Sequence, residues 1–243
     1  MALGSTFRRQ NQDLFDHYAA RYQEVLNRAL TPSGEGGEYF ARGRVQWLKK
    51  QLDRLGLSAS SVLDYGCGTG GSVPFLREIL GCRRVLGVDI SPESVRLARE
   101  RHGGKGIEFE NCDIFFPHSE FELAFSNGVF HHIDPGERPL ALRYIYNSLA
   151  ANGIFALWEN NPWNPATRYI MGKCELDEEA VSISSRESRK LLYACGFEIV
   201  NSSTFFYFPR WLKWLRKAEP ALAHLPLGAQ YLLLARKVRY TKG

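Results

Sequence analysis

Apolar residues recur along this chain with two different periods. Phe15, Tyr18, Tyr22, Val25, Leu26 and Leu30 fall on one helical face, and Thr31-Pro32-Ser33-Gly34 ends that stretch. Beyond a loop at 35–38, Val45, Leu48, Leu52 and Leu55 predict a second helix over Tyr39 to Leu55. The pattern then changes to short apolar runs separated by helical stretches. Val62-Leu63, Val85 to Ile90, Ile107 to Ile114, Phe121 to Asn127 and Ile154 to Glu159 read as strands, with a helix over Pro135 to Ala150 before the fifth. A helix over Ser185 to Cys195 ends at Gly196 in the C′ role, and Phe197 to Phe208 and Ala229 to Lys237 supply two more strands. Seven strands alternating with helices predict an α/β fold with a doubly wound, mostly parallel sheet. The final pair is joined by a loop and a short helix, which suggests an antiparallel last strand. Residues 1–57 are expected to form a helical lid within the same domain as a core over 58–243.

The most informative punctuation follows the first strand. In Leu63-Asp64-Tyr65-Gly66-Cys67-Gly68-Thr69-Gly70-Gly71 an apolar run ends in a carboxylate and breaks into glycines, and helical spacing resumes at Val73, Phe75 and Leu76. Glycines there let the backbone turn sharply and approach a ligand without a Cβ in the way. Strand, glycine turn and helix make a cofactor-binding corner at the carboxyl edge of an open sheet. Gly66, Gly68 and Gly71 satisfy the dinucleotide pattern G-x-G-x-x-G, with Asp89 at a suitable distance for a ribose hydroxyl. A pyrophosphate, however, needs an uncluttered helix N-terminus, and Asp64 would repel it. The same carboxylate suits a ligand carrying an ammonium and a sulfonium.

The wording LDYGCGTG resembles motif I of the class I S-adenosylmethionine-dependent methyltransferases. Later segments carry the resemblance further, firmly over Val62 to Glu159. It implies the Rossmann-like methyltransferase fold and S-adenosyl-L-methionine as cofactor. It also implies that Asp64, Gly66, Gly68 and Gly70 hold the methionine part and that Asp89 takes the ribose hydroxyls. Ile90 would pack beside the adenine, Asp113 with Ile114 would meet the adenine amino group, and Asn127 would border the transferring methyl. In ubiquinone-biosynthesis O-methyltransferases an arginine holds the cofactor carboxylate, and Arg44 falls near that place; its alternative is an ordinary surface arginine. A nucleic-acid methyltransferase would carry an Asn/Asp-Pro-Pro-aromatic run where this chain has Ser126-Asn127-Gly128-Val129-Phe130.

Methyl transfer is an in-line displacement, so alignment comes first and a base is needed only where the acceptor must lose a proton. His131 and His132, just past strand four, are the candidate bases; their alternative is packing and backbone bonding. Glu159, Asn160, Asn161, Trp163 and Asn164 lie on the loop after strand five, where amides can read hydroxyl-rich acceptors or simply make turns. Asn161 to Asp177 is similar to methyltransferases of bacterial polysaccharide and secondary-metabolite pathways. Together these favour a hydroxyl oxygen of a sugar, secondary metabolite or lipid-linked intermediate. No metal is chemically required, and no compact His/Asp ligand spacing suggests one.

Tyr169-x-x-x-Lys173 matches the catalytic pair of short-chain dehydrogenases, the alternative function. Those enzymes carry the glycine turn near the N-terminus and a serine where this chain has Ala156. Composition adds limits. A net charge of +5, part of it in a tail of Arg236, Lys237, Arg239 and Lys242, is modest and reads as a solvated end rather than a nucleic-acid site. No apolar run approaches the roughly 20 residues of a membrane span. The first residues lack the apolar centre of a signal peptide, and five cysteines without a CxxC pair point to a reducing cytoplasm. Residues 209–218 read as an amphipathic helix, with Trp211, Trp214, Leu215 and Ala218 on one face and Arg210, Lys213, Arg216 and Lys217 on the other. A lid packed on the sheet edge is favoured there over a membrane-surface contact. Nothing in the sequence specifies an oligomeric state.

Overall fold

The computed structural model describes residues 6–238. Of the basic tail, Arg239 and Lys242 lie outside the described residues. Strands β1 (Ser61–Tyr65), β2 (Arg84–Asp89), β3 (Ile107–Asn111), β4 (Phe121–Asn127), β5 (Leu149–Asn160), β6 (Phe197–Phe205) and β7 (Gln230–Lys237) form one sheet. Their order is β3-β2-β1-β4-β5-β7-β6. β1 to β5 are parallel to their neighbours, and β7 runs antiparallel to both β5 and β6. The predicted Rossmann-like sheet with an antiparallel last strand is therefore present. The chain winds from β1 to β3 in one direction and then crosses back to β4, so a switch point lies between β1 and β4, where ligands bind in open α/β sheets.

The strand period of two divides the core between the sheet's faces. Val62, Leu123, Phe125, Ala156, Trp158 and Leu232 pack on one side, with α3 (Gly37–Arg54), α4 (Val73–Leu80) and α5 (Pro92–His102). Leu63, Ala124, Phe155, Leu157, Leu233 and Ala235 pack on the other, with α6 (Arg138–Ser148) and α8 (Ser185–Ala194). Each such valine, leucine or phenylalanine side chain, wholly removed from water, contributes roughly 1.5–3 kcal/mol, and each alanine less. A third, smaller cluster joins Val25 and Ala29 to Cys174 and Leu176. It ties α2 (Tyr22–Leu30) to the short turn of Glu175–Asp177 that follows α7 (Pro165–Met171).

Some boundaries differ from the sequence expectation for local reasons. The first helical stretch is broken at Ala19–Arg21 into α1 (Thr6–Tyr18) and α2, because Arg21 leaves helical dihedrals where Ala19 is buried. Residues 210–218 form a 3₁₀ helix, with Leu212 outside helical dihedrals, and α9 (Glu219–Leu222) follows. The predicted packing of an aromatic face onto the sheet edge is not found. Trp211 and Trp214 are 73% and 69% exposed, while Leu212 and Leu215 turn inward. The kink at Leu212 and the tighter 3₁₀ turns change which positions face inward, and both indoles are left in solvent. Arg216 anchors the turn inward by its 2.8 Å ion pair with Glu35 and its bond to the Phe208 carbonyl. No described helix is long and apolar enough to cross a membrane.

Candidate active site

At the carboxyl ends of β1, β2 and β4 opens a cavity of about 1160 Å³. That exceeds a typical single-ligand pocket of about 300–1,000 Å³ and leaves room for two small molecules side by side. The sheet supplies Asp64, Gly66, Gly68, Asp89, Ile90 and Asn127 to its wall. Helices α1 to α3 supply the facing wall through Asn11, Phe15, Tyr22, Tyr39 and Arg44.

Asp64 ends β1 with its side chain buried, and its Oδ2 meets no hydrogen-bond donor. Burial, and then the nearby Asp89 charge, push its carboxyl up to about 8. An unpartnered buried carboxylate is costly, and a cation placed beside it would remove most of that cost. Asp89 ends β2 and is held by backbone: Gly68 N–H donates to Oδ2 at 2.8 Å and Ser91 N–H to Oδ1 at 2.9 Å. Burial raises its pKa and these two bonds pull the other way. Gly68 sits at φ +52 with nothing within 4 Å of where a Cβ would lie, so the open space beside it belongs to the cavity. Gly66 is closed in, since a Cβ there would lie 2.3 Å from Val129 Cγ2. Gly70 does not line the cavity: it faces His102 and Phe109 behind the turn, and Gly71 lines it instead. Asn127 leaves a second buried oxygen, Oδ1, without a partner.

Arg44 reaches the cavity from α3. Burial lowers its pKa to about 10, still charged at neutral pH, and Tyr22 and Glu159 oppose that shift. Its Nε donates to Gln230 Oε1 at 2.8 Å, and Gln230 Nε2 donates to Asn160 Oδ1 at 2.9 Å. No carboxylate pairs with this guanidinium among the described residues.

Past β4, four titratable side chains converge. His131 Nδ1 lies 2.6 Å from Glu159 Oε2, and Phe130 N–H donates to Glu159 Oε1 at 2.7 Å. On the cavity side Asp177 Oδ1 is 3.4 Å from His131 Nε2 and 3.3 Å from His132 Nε2. Burial alone would discharge His131, but Glu159 and Asp177 outweigh it and raise its pKa to about 10. His131 is therefore an imidazolium near neutral pH, which corrects its candidacy as a base. His132 behaves oppositely: burial and the neighbouring His131 charge lower its pKa, so it stays neutral. Its carbonyl accepts from Asn11 Nδ2 at 2.7 Å, and Phe15 meets its ring edge-on at 5.1 Å.

Asp177 and Tyr22 were not singled out from the sequence. Asp177 reaches the histidines because Cys174 and Leu176, just before it, pack on Val25 and Ala29. The usable signal was an acid directly after alternating buried apolar positions. His131, His132 and Asp177 each offer one ligand-type atom within 4.8 Å of the others and could hold a metal ion. A spacing search misses this set because Asp177 is remote in sequence. The same three side chains also balance one another by charge, one imidazolium against one carboxylate beside a neutral ring.

Other predicted positions are redirected. Glu159 is buried behind His131 and lies off the cavity lining, so it positions a side chain rather than meeting a ligand. Asn161 is buried and spends its amide on the carbonyls of Pro226 and Gly228, while its Oδ1 takes Trp163 N–H. Asn164 caps α7 through Thr167 N–H and bonds the Leu227 carbonyl, so its amide is used although it touches the cavity. Trp163 and Ile114 point to solvent, 66% and 67% exposed, away from the cavity. Asp113 reaches the rim, where it is ion-paired with Arg8 of α1. Asn160 alone of the loop amides faces the cavity while bonded only to another side chain, Gln230.

Residues 62–153 match a family model described as a methyltransferase domain. The chain is 28% identical over 177 residues to a phosphoethanolamine N-methyltransferase of Plasmodium falciparum, covering 69% of this chain and 65% of that protein. It is 32% identical over 157 residues to phosphoethanolamine N-methyltransferase 1 of Triticum aestivum, covering 61% of this chain and 29% of that protein. The chain thus spans less than two thirds of the length of these curated relatives. A Thermotoga maritima structure described as an S-adenosylmethionine-dependent methyltransferase, possibly a histamine N-methyltransferase, shares the fold at TM-score 0.64 and 18% identity, covering 93% of this chain and 99% of that one. An S-adenosylmethionine-dependent methyltransferase structure from Archaeoglobus fulgidus gives TM-score 0.57 at 17% identity, covering 79% and 94%. Sheet order, glycine turn and family match agree in supporting a class I S-adenosylmethionine-dependent methyltransferase, with the methyltransferase domain matched over residues 62–153.

Proposed function

We propose that the chain transfers the methyl group of S-adenosylmethionine to a small-molecule acceptor whose accepting atom must lose a proton. One observation carries this reading: the buried Asp64 Oδ2 has no donor and stands beside the open Gly68 turn. A cationic ligand fits that pair of features, and a pyrophosphate does not. When bound, S-adenosylmethionine supplies a methyl carbon activated by its sulfonium.

The chain's own residues then have separable tasks. Asp64 accepts from the ammonium, and Arg44 pairs with the ligand carboxylate for which it has no protein substitute. Asn127 Oδ1 accepts a further donor of the methionine part. Gly66 and Gly68 shape the turn, and Gly70 supports it from behind. Asp89 keeps acceptor capacity on both oxygens for ribose hydroxyls, Ile90 packs on adenine, and Asp113 accepts from its amino group while sharing Arg8. Helices α1 to α3 act as the lid.

His132 is the proton acceptor in this reading. It is neutral, lines the cavity and is oriented by Asp177, with His131 fixed in charged form by Glu159 behind it. A base held by a carboxylate is a general arrangement for proton removal. No metal is needed for this step. A hydroxyl of a sugar, secondary metabolite or lipid-linked intermediate is the first choice of acceptor, on the resemblance of residues 161–177. An amine is the second, favoured by the phosphoethanolamine N-methyltransferases among the relatives. The five free cysteines suit a reducing cytoplasm.

Calorimetric titration with S-adenosylmethionine tests the central point. Saturable binding that Asp64→Asn weakens at least about a hundredfold, the worth of a charge-assisted bond of about 3 kcal/mol, supports it. No heat with the wild-type chain overturns it. Radiolabelled methyl transfer to panels of hydroxyl and amine acceptors then separates the two acceptor readings.

A further inference from the structure

The 3₁₀ turn of 210–218 carries chemistry that the reading above does not use. Trp211 and Trp214 are among the most exposed large apolar side chains described, and they lie three residues apart on one short segment kinked at Leu212. Leu227 is 61% exposed, and its segment is tied through the Asn164 amide bond to the loop bearing exposed Trp163. Trp211 and Tyr169 both line the cavity while remaining largely in solvent, so they form its rim. Arg210, Lys213 and Lys217 are exposed on the same segment as the two indoles, and none of them pairs with a carboxylate among the described residues.

We propose that this rim docks on an anionic lipid surface, with the cavity mouth facing the bilayer interface. Indole rings prefer the headgroup region, where an apolar body and an N–H are both satisfied. Unpaired lysines and arginines beside them add attraction to anionic headgroups. Exposed aromatic clusters of this kind are uncommon on a surface that only water meets, and they mark an interaction site. The charge decides the occupant. An apolar protein groove would give the three cations no counter-charge, whereas an anionic bilayer meets indoles and cations together. With no described helix able to cross a membrane, the contact is peripheral and reversible. The proposal stands apart from the methyl-transfer reading, since lipid binding needs no cofactor.

Flotation of the full chain with phosphatidylcholine vesicles containing about one third phosphatidylglycerol tests it, at an ionic strength near 0.1 M where the screening length is about 10 Å. We expect the protein to float with these vesicles and not with pure phosphatidylcholine. Trp211→Ala/Trp214→Ala should weaken binding by about tenfold or more, the scale of losing one buried aromatic contact. Lys213→Glu/Lys217→Glu should do the same. These positions are exposed, so circular dichroism and thermal melting should match wild type. A blue shift of tryptophan emission on vesicle addition, lost in the double alanine variant, would locate the contact. Failure to float, or flotation unchanged by both double variants, overturns the proposal. So does tryptophan-dependent self-association in gel filtration without vesicle binding, which would assign the patch to a second copy of the chain.

Discussion

Glu159 Oε2 sits 2.6 Å from His131 Nδ1 with both side chains wholly buried, and this pair fixes the floor beneath the proposed base. Breaking a buried pair by removing one charge costs about 3–5 kcal/mol, because the survivor keeps its desolvation penalty. Glu159→Gln retains an acceptor for Phe130 N–H but leaves the imidazolium half-compensated. Its unfolding free energy from urea titration should fall by an amount in that range, and methyl transfer should fall with it as the His131-His132 segment loosens. A Glu159→Gln variant as stable as wild type would remove the pair from the account.

The same pair sets a pH dependence. His131 has its pKa raised from 6.5 to about 10 in the folded chain. Between those values the native state binds a proton that the unfolded chain has released, so stability falls as pH rises. The contribution is full below about 6.5, the ordinary histidine value, and is lost by about pH 10. Denaturant titrations at pH 7, 8.5 and 10 should show this decline in wild type and a flatter profile in His131→Gln.

Asp64 adds a pH dependence of the same sign to the ligand-free protein. Its pKa rises from 3.8 to about 8 on folding, so across that interval the unfolded chain gives up its proton first and stability again falls with pH. Asp64→Asn removes this cost. The variant should lose affinity for S-adenosylmethionine yet exceed wild type in ligand-free stability at pH 8, by about 1–3 kcal/mol, with little difference at pH 4. Thermal melts with and without ligand read both effects. Equal stability of the two proteins at pH 8 would mean that Asp64 carries no stored desolvation cost.

The features legible in the sequence are those set by local backbone demands. Alternating apolar residues identify the strands, and carboxylates at strand ends with glycines after them mark the corner where a ligand approaches. Side-chain direction at the far end of β5 is not local. Glu159 and Asn161 lie where the period predicts, at the edge of the cleft, but one turns behind His131 and the other onto the carbonyls of the 226–228 loop. Asp177 is the converse case. Its place beside His132 depends on contacts between Cys174, Leu176 and α2, which no window of sequence contains. The exposed tryptophans differ from expectation because 210–218 folds as 3₁₀ turns kinked at Leu212, not as the α-helix that its apolar spacing predicts.

Removal of the base should separate chemistry from binding. His132→Ala should lower kcat by about a hundredfold to ten-thousandfold, the ordinary range for one general base, with S-adenosylmethionine affinity unchanged. Asp177→Asn should lower kcat less. The wild-type profile of kcat should rise on the acid side below pH 6.5, because His132 titrates lower than an ordinary histidine. Dialysis against a strong chelator should leave activity intact. Loss of activity on chelation, restored by a divalent ion, would instead make His131, His132 and Asp177 a metal site.

The two glycines of the turn are predicted to fail in different ways. Gly66 and Gly68 both have positive φ, +73 and +52, so alanine at either position costs about 1–2 kcal/mol of backbone strain. At Gly66 the added Cβ would also lie 2.3 Å from Val129 Cγ2 in the turn after β4, and the surroundings must shift. Gly66→Ala should therefore be destabilised by several kcal/mol, about 3 or more once overpacking joins the strain. At Gly68 nothing stands within 4 Å of the new Cβ, so Gly68→Ala should fold with only the strain cost. That Cβ would project into the space assigned to the cofactor and should weaken its binding by tenfold or more (about 1.4 kcal/mol). Chemical denaturation ranks the two stabilities, and calorimetry ranks the affinities. If Gly68→Ala binds S-adenosylmethionine as wild type does, the ligand does not pass beside this turn, and the assignment of Asp64 as its counter-charge loses its neighbour.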